Sequence, residues 1–211
     1  RDSENARSKF LVSRITRSLK EVVHHIAAEI SQSKFKPVAC ELSIGKEDSD
    51  ITVNFPFDNG NISLIGSIDR VDEYNGYIRI IDYKAGSKAF KLPDILFGLN
   101  LQMLIYLYAV IRGRGISDNN TAGILYQPSK RDLNDNGMAM NGLLPLEPDL
   151  IFAMDKNGEG EFVPKLSFNK DGTLSKRNTS FIEKENFTEI FDYIEGDNTV
   201  FEKEPLEQLV S

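Results

Sequence analysis

Acidic side chains recur at short spacing in residues 66–84, and a turn signal in this stretch predicts how they meet. Asn75-Gly76 favours a two-residue type I′ hairpin turn, which needs positive φ at both central positions. With these residues in the turn, the register places Asp69 opposite Asp82. The sequence therefore predicts two carboxylates facing each other across one antiparallel strand pair.

Facing carboxylates are unfavourable, because opposed Cβ atoms lie about 4.5–5.5 Å apart and like charges then repel. A shared proton, a nearby cation or a bound metal relieves the repulsion. Lys84 lies on the same predicted face as Asp82, because strand side chains alternate with period two. Hard oxygen ligands suit Mg²⁺ or Mn²⁺. An exposed hairpin whose acids point into water is the alternative, and the hairpin by itself leaves both interpretations equally open.

The composition of the chain limits the classes of protein to which it could belong. The 211 residues, 40% hydrophobic and 27% charged, are typical of one globular domain with an ordinary core and room for an appendage. The net charge of −7 argues against a nonspecific nucleic-acid binder, although basic residues concentrate near the start of the chain. A single cysteine excludes an internal disulfide and predicts a reducing, cytoplasmic setting. The first residue is Arg, which predicts a fragment of a longer protein.

Periodicity places these residues on elements. An apolar stripe at three- and four-residue steps predicts a helix over residues 8–32, and Arg14 and Arg17 lie off that stripe. They could contact phosphates, but a solvated basic face is the commoner outcome for such residues. Alternation over residues 38–44 predicts a strand with Cys40 on its buried face and Glu41 on the other, either at the rim or in the acidic cluster.

The remaining pattern predicts a compact core followed by an extension. Residues 62–72 and 77–84 form the hairpin, Pro93 to Arg112 a buried helix, and residues 121–127 a further strand. Gln102 and Tyr106 are four residues apart on that helix, so they share a face and either are satisfied in the core or face the acids. A polar, loop-rich stretch then begins, which predicts a core domain over residues 1–128 and a C-terminal extension over 129–211, packed on it or appended.

Three pieces of the sequence at these spacings resemble the PD-(D/E)xK nuclease superfamily: Asp69, the segment Asp82-Tyr83-Lys84, and the pair Gln102 and Tyr106 on one helix. The Gln-x-x-x-Tyr helix is typical of the RecB-like branch of that superfamily. The similarity is strongest to the C-terminal nuclease domains of AddB-type subunits of bacterial helicase–nucleases, and it extends through residues 122–155. It rests on the following segments: Pro37–Glu41, Gly66–Arg70, Ile81–Lys84 and Gly98–Gln102. The resemblance implies an α/β fold with a restriction-endonuclease-like core, in which helices flank a central mixed sheet.

The resemblance also implies roles for individual residues. Asp69 and Asp82 would hold Mg²⁺ or Mn²⁺, with the backbone carbonyl of Tyr83 and the carboxylate of Glu41 as further ligands. Lys84 would activate the attacking water or stabilise charge on the scissile phosphate. Residues further from the metal would support the site or contact the DNA backbone: Gln102, Tyr106, Arg14 and Arg17.

Two features depart from the family pattern. RecB-like nucleases usually carry a site histidine after a glycine on an upstream helix, and His24 and His25 do not fit that pattern. AddB-type domains bind an iron–sulfur cluster through four cysteines, whereas Cys40 lies inside the first predicted strand. An iron–sulfur cluster is therefore not expected in this chain.

The function implied is a metal-dependent nuclease that cuts single-stranded DNA supplied by a helicase subunit during double-strand break repair and recombination. The alternative is a noncatalytic DNA-binding or scaffold module of the same fold. The presence of both acids and the lysine argues against that alternative, because a decayed site usually loses one of them. A restriction-type nuclease shares the chemistry but lacks the similarity over residues 122–155.

Overall fold

A computed structural model of the chain describes residues 2–46, 48–49, 51–57, 60–85, 101–130, 137–170 and 180–195. Four α-helices lie in this part of the chain: α1 (Asp2–Gln32), α2 (Leu101–Gly113), α3 (Pro148–Met154) and α4 (Glu185–Glu195). Eight strands accompany them: β1 (Lys36–Ile44), β2 (Asn54–Phe57), β3 (Gly60–Ser63), β4 (Gly66–Tyr74), β5 (Tyr77–Lys84), β6 (Thr121–Pro128), β7 (Asn141–Pro145) and β8 (Phe181–Ile182).

Six strands form one mixed sheet in the order β1-β4-β5-β6-β7-β8, and β2 pairs with β3 separately. β5 and β6 run parallel, as do β7 and β8, while the other neighbours in the sheet are antiparallel. A mixed sheet flanked by helices confirms the α/β fold class predicted from the sequence. β7 and β8 lie beyond residue 128 and continue the sheet, and the boundary drawn there between core and extension stays a prediction.

The central hairpin has the predicted turn and register. Asn75 and Gly76 have φ values of +49° and +81°, in the left-handed region that such a turn requires. Tyr74 pairs with Tyr77, and the described pairs continue regularly as far as Arg70 opposite Ile81. β4 begins at Gly66, not at residue 62, because residues 60–63 pair with β2 instead.

The two faces of the sheet bury separate cores. On one face, Ile80 of β5 and Ile124 of β6 pack with the buried side of α2. On the other, their neighbours Ile81 and Leu125 pack with α3 and Phe35. Strand alternation divides adjacent residues between the cores, and it explains why these central strands are apolar on both sides.

The first helix is confirmed, but its apolar stripe is only partly buried. Every side chain from residue 6 to residue 21 is exposed, including Ile15 at 64% and Leu19 at 60%. Among the described side chains of this helix, those of the last turns pack on the sheet, where the fully buried Glu29 pairs with Arg70 of β4. No helix in the described residues is both long and apolar enough to cross a membrane.

The prediction that Cys40 is buried is wrong, because its side chain is exposed. Glu41 next to it has a φ of +51°, which interrupts the alternation of β1. Ala39 and Leu42 consequently pack against the same core although they are three residues apart. The predicted alternation requires an unbroken strand, and the irregular residue instead leaves Cys40 on the face opposite Ala39 and Leu42, where it is exposed.

Candidate active site

The predicted acids lie where β4 and β5 separate. The last described pair of this ladder is Arg70 with Ile81, so Asp69 and Asp82 follow one residue beyond it. The Oδ2 atom of Asp69 accepts a hydrogen bond of 2.7 Å from the backbone N–H of Tyr83. This hydrogen bond, at the end of the regular pairing, holds the carboxylate of Asp69 beside β5.

Asp82 and Lys84 form the charged part of the site. They project from the same face of β5, and Lys84 Nζ lies 2.5 Å from Asp82 Oδ2. That oxygen is buried and accepts no hydrogen bond of acceptable geometry from the described residues. Lys84 therefore balances the charge of the carboxylate without satisfying it as a hydrogen-bond acceptor.

The donor set suits a hard divalent cation. Asp82 offers a buried oxygen that has no hydrogen bond within the described part of the chain, and Asp69 offers a carboxylate held at the backbone of Tyr83. In the described residues, no three His, Cys, Asp or Glu side chains converge as a metal cage. Two carboxylates fit Mg²⁺, which usually keeps several waters and binds through one or two protein carboxylates.

Glu41 lies on β1 between the pairs Cys40–Arg70 and Leu42–Ile68, and so in line with Asp69 on the neighbouring strand. Its side chain is exposed and it does not form a three-residue cluster with the two aspartates. Its role as a metal ligand stays a prediction, as does the role of the Tyr83 carbonyl.

Tyr126 borders the site on the parallel neighbour, β6. It pairs with Asp82, and Lys84 Nζ lies 5.6 Å from the centroid of its ring. Burial, reinforced by the negative charge of Asp82, raises the pKa of Tyr126 to about 12. The phenol is therefore neutral at physiological pH and lends the lysine an aromatic face.

Gln102 and Tyr106 lie on α2, which covers the face of the sheet that carries Asp82. Gln102 Nε2 donates a 3.0 Å hydrogen bond to the Tyr106 hydroxyl. The ring of Tyr106 packs directly on Gly66, where an added Cβ would lie 2.5 Å from the hydroxyl oxygen. Any larger residue at the start of β4 would force Tyr106 to shift, and the tyrosine braces the strand three residues before Asp69.

The structure does not bring Arg14 and Arg17 to this site by any described contact. Both lie on the exposed first half of α1, and neither forms a hydrogen bond or ion pair with the described residues. Their role in binding DNA stays a prediction.

Sequence reasoning missed a buried ion network behind the site. Glu29, Arg70, Asp72 and Arg79 are all at most 2% exposed, and they form four ion pairs of 2.5–2.8 Å. Burial alone lowers the pKa of Arg70, but the charges of Asp72 and Glu29 outweigh it and raise that pKa overall. Two signals pointed to the network: the hairpin register sets Asp72 opposite Arg79, and Glu29 interrupts the apolar stripe of α1.

Comparisons with known proteins agree with this arrangement. The PD-(D/E)XK nuclease superfamily matches residues 1–191. The chain is similar to the B-type subunits of ATP-dependent helicase/deoxyribonucleases. It is 36% identical over 205 residues to that of Thermoanaerobacter sp. (strain X514), covering 86% of this chain and 18% of that protein. The identity is 33% over 230 residues for Caldanaerobacter subterraneus subsp. tengcongensis, covering 98% and 20% of the two chains.

A third relative, from Clostridium acetobutylicum, is 34% identical over 217 residues, which cover 91% of this chain and 19% of that protein. The chain therefore spans about a fifth of the length of these relatives. The family match covers most of the chain and includes the hairpin, the acids and α2. The chain belongs to the PD-(D/E)XK nuclease superfamily.

Proposed function

We propose that this chain is a metal-dependent deoxyribonuclease domain within a helicase/deoxyribonuclease subunit. Membership in the nuclease superfamily and the name of its relatives support the reaction class. One observation carries the proposal: the buried Oδ2 atom of Asp82 has no hydrogen bond from the described residues, while Lys84 Nζ lies 2.5 Å from it and the carboxylate of Asp69 is held at the next amide, that of Tyr83. A carboxylate that served only the fold would be expected to have its hydrogen bonds satisfied.

Asp69 and Asp82 are the proposed protein ligands of Mg²⁺ or Mn²⁺, with the carbonyl of Tyr83 and the carboxylate of Glu41 as further candidates. When bound, such an ion supplies positive charge that stabilises the negative charge developing on the phosphoryl oxygens. The two aspartates would also hold the ion at a fixed place, because both lie at the end of the regular β4–β5 pairing.

Lys84 is the proposed group that acts on the reacting atoms. In hydrolysis, a water oxygen bonds to phosphorus, the water loses a proton, and the phosphorus–oxygen ester bond breaks as the leaving oxygen gains a proton. The ammonium of Lys84 can donate a hydrogen bond to the water or to a phosphoryl oxygen. Its contacts with Asp82 and the ring of Tyr126 keep the ammonium beside Asp82, one of the two proposed metal ligands.

The proposed substrate is single-stranded DNA delivered by a helicase partner, in double-strand break repair and recombination. The name of the relatives supports both DNA as substrate and a helicase as partner. Gln102 and Tyr106 are proposed to contact the DNA backbone or to support the site from α2. Arg14 and Arg17 are proposed to contact phosphates outside it.

Cleavage of end-labelled single-stranded DNA with Mg²⁺ or Mn²⁺ tests this function, with EDTA-treated protein as the metal-free control. We expect metal-dependent products from the wild type and none from Asp82→Asn. Binding of DNA without cleavage under every metal condition would instead support the noncatalytic alternative. Equal cleavage by both proteins would place the active site elsewhere.

A further inference from the structure

A chain of polar contacts links the interior of the domain to the proposed active site. Arg70 lies at its centre, where Nη2 contacts Glu29 at 2.8 Å and Asp72 at 2.8 Å. Its other terminal nitrogen, Nη1, donates to the hydroxyl of Tyr83 at 3.3 Å. One guanidinium therefore joins the end of α1, the middle of β4 and the end of β5.

Tyr83 connects Arg70 to Asp69, because its side-chain hydroxyl and its backbone amide make different contacts. Its hydroxyl meets Arg70 on the α1 side of the sheet, and its backbone N–H donates to Asp69. Its side chain points away from those of Asp82 and Lys84, as strand alternation requires. Holding the ring of Tyr83 from behind thus holds the amide that positions the carboxylate of Asp69.

The location explains why such anchoring is useful. Beyond Arg70 and Ile81 the described β4–β5 pairs stop, so ladder hydrogen bonds no longer hold the end of β5 against β4. β4 also changes its alternation here, because Ile68 packs on the α2 side whereas Arg70 lies on the α1 side. The hydrogen bond between Arg70 and Tyr83 takes the place of the β4–β5 ladder hydrogen bonds at this end of β5.

We propose that Tyr83 and Arg70 are positioning residues, through which the buried network of Glu29, Asp72 and Arg79 holds the end of β5 and the carboxylate of Asp69. The inference rests on the proposed function in assigning a purpose to that carboxylate. The positioning itself is a property of the protein and is measurable without metal or DNA.

Tyr83→Phe tests this with little risk to the fold, because the side chain is 37% exposed and loses only its hydroxyl. Tyr77→Phe is a matched control: its hydroxyl accepts a hydrogen bond of the same 3.3 Å length from Lys184, at the opposite end of the same hairpin. The first measurement is amide hydrogen exchange at residue 83 by NMR, without metal. The second is Mn²⁺ affinity by titration calorimetry.

We expect the amide of residue 83 to exchange about tenfold faster in Tyr83→Phe, corresponding to the loss of one anchoring hydrogen bond. Mn²⁺ affinity should fall about tenfold, the lower end of the effect of losing a partner that orients a ligand. Tyr77→Phe should change neither quantity. Unchanged exchange at residue 83 in Tyr83→Phe would overturn the inference. Where Asp82→Asn shows that Mn²⁺ binds at this site, faster exchange with unchanged Mn²⁺ affinity would overturn it too.

The proposed function fails separately from this inference. If the wild type and Asp82→Asn bind Mn²⁺ equally, the proposed metal site is wrong. The exchange rate of the amide of residue 83 then decides the inference alone. Faster exchange in Tyr83→Phe but not in Tyr77→Phe shows that Arg70 and Tyr83 hold Asp69. The same rate in Tyr83→Phe as in the wild type shows that they do not.

Discussion

The ammonium of Lys84 lies 2.5 Å from Oδ2 of Asp82, and that oxygen still has no hydrogen bond from the described residues. An ion pair that served stability alone would be expected to satisfy its buried acceptor, because leaving one unmade costs about 1–3 kcal/mol. This geometry supports the proposal that the pair receives a ligand.

Replacing Lys84 by alanine should lower the rate of metal-dependent DNA cleavage by about a hundredfold or more, because a positioned charge near the reacting atoms is lost. Lys184→Ala is a matched control, since Lys184 also forms an ion pair, with Glu147 at 3.1 Å, and lies over Tyr77 at 5.0 Å. Single-turnover rates on labelled DNA measure the difference. Comparable losses in both variants would point to a general destabilisation.

Divalent ions should stabilise the wild type and leave Asp69→Asn unaffected. At millimolar Mg²⁺ we expect roughly 1 kcal/mol, or about 2–4 °C in melting temperature, with at least as much from Mn²⁺. Without metal, Asp69→Asn should melt higher, because it removes repulsion from Asp82 while its amide oxygen can still accept the N–H of Tyr83. Thermal melting at matched ionic strength measures both effects.

Glu73→Gln, an exposed change on the same strand, is the control for this metal response and should keep it. An equal metal-induced shift in Asp69→Asn and the wild type would show that the ions bind elsewhere.

Breaking the buried network should be costly. Arg79→Met leaves Glu29 and Asp72 with Arg70 as their only described basic partner, and removing one partner of a buried ion pair typically costs about 3–5 kcal/mol. Arg17→Met, on the exposed part of α1, should change stability by less than about 0.5 kcal/mol. Urea denaturation gives the free energies of unfolding. A loss below about 1 kcal/mol in Arg79→Met would mean that the network contributes little.

The raised pKa of Tyr126 predicts a loss of stability at alkaline pH. A phenol whose folded-state pKa is about 12, against an ordinary value of 10.0, contributes stability that is complete below pH 10 and is lost as the pH rises through 12. Ultraviolet difference titration between wild type and Tyr126→Phe isolates this group. Asp82→Asn should lower the pKa of Tyr126 only partly, because burial is the larger cause. A return to about 10 would show that the charge of Asp82 dominates.

Gly66→Ala should destabilise the chain by about 1–3 kcal/mol, because the new methyl group would lie 2.5 Å from the Tyr106 hydroxyl and within 2.8 Å of two ring carbons. Gly60→Ala is the control, since no atom lies within 4 Å of the Cβ built there. Melting temperatures compare the two. Equal shifts would show that Tyr106 moves aside at little cost.

Local signals in the sequence were sufficient for the hairpin and its register. Asn75-Gly76 specifies a turn geometry within four residues, and the pairing of Tyr74 with Tyr77 and of Asp72 with Arg79 follows from it. The spacing of Gln102 and Tyr106 likewise predicts one helical face for both, and they form a hydrogen bond. The part of that predicted helix before Leu101 lies outside the described residues.

Tertiary structure decided the rest, because those features join segments far apart in the chain. Glu29 meets Arg70 across 41 residues, and no local pattern indicates that these two residues will pair. The left-handed φ of Glu41 reverses the exposure of Cys40, although glutamate carries no sequence signal for that conformation. The end of the β4–β5 ladder, which lets Asp69 bind the amide of Tyr83, likewise depends on how neighbouring strands and α2 pack around it.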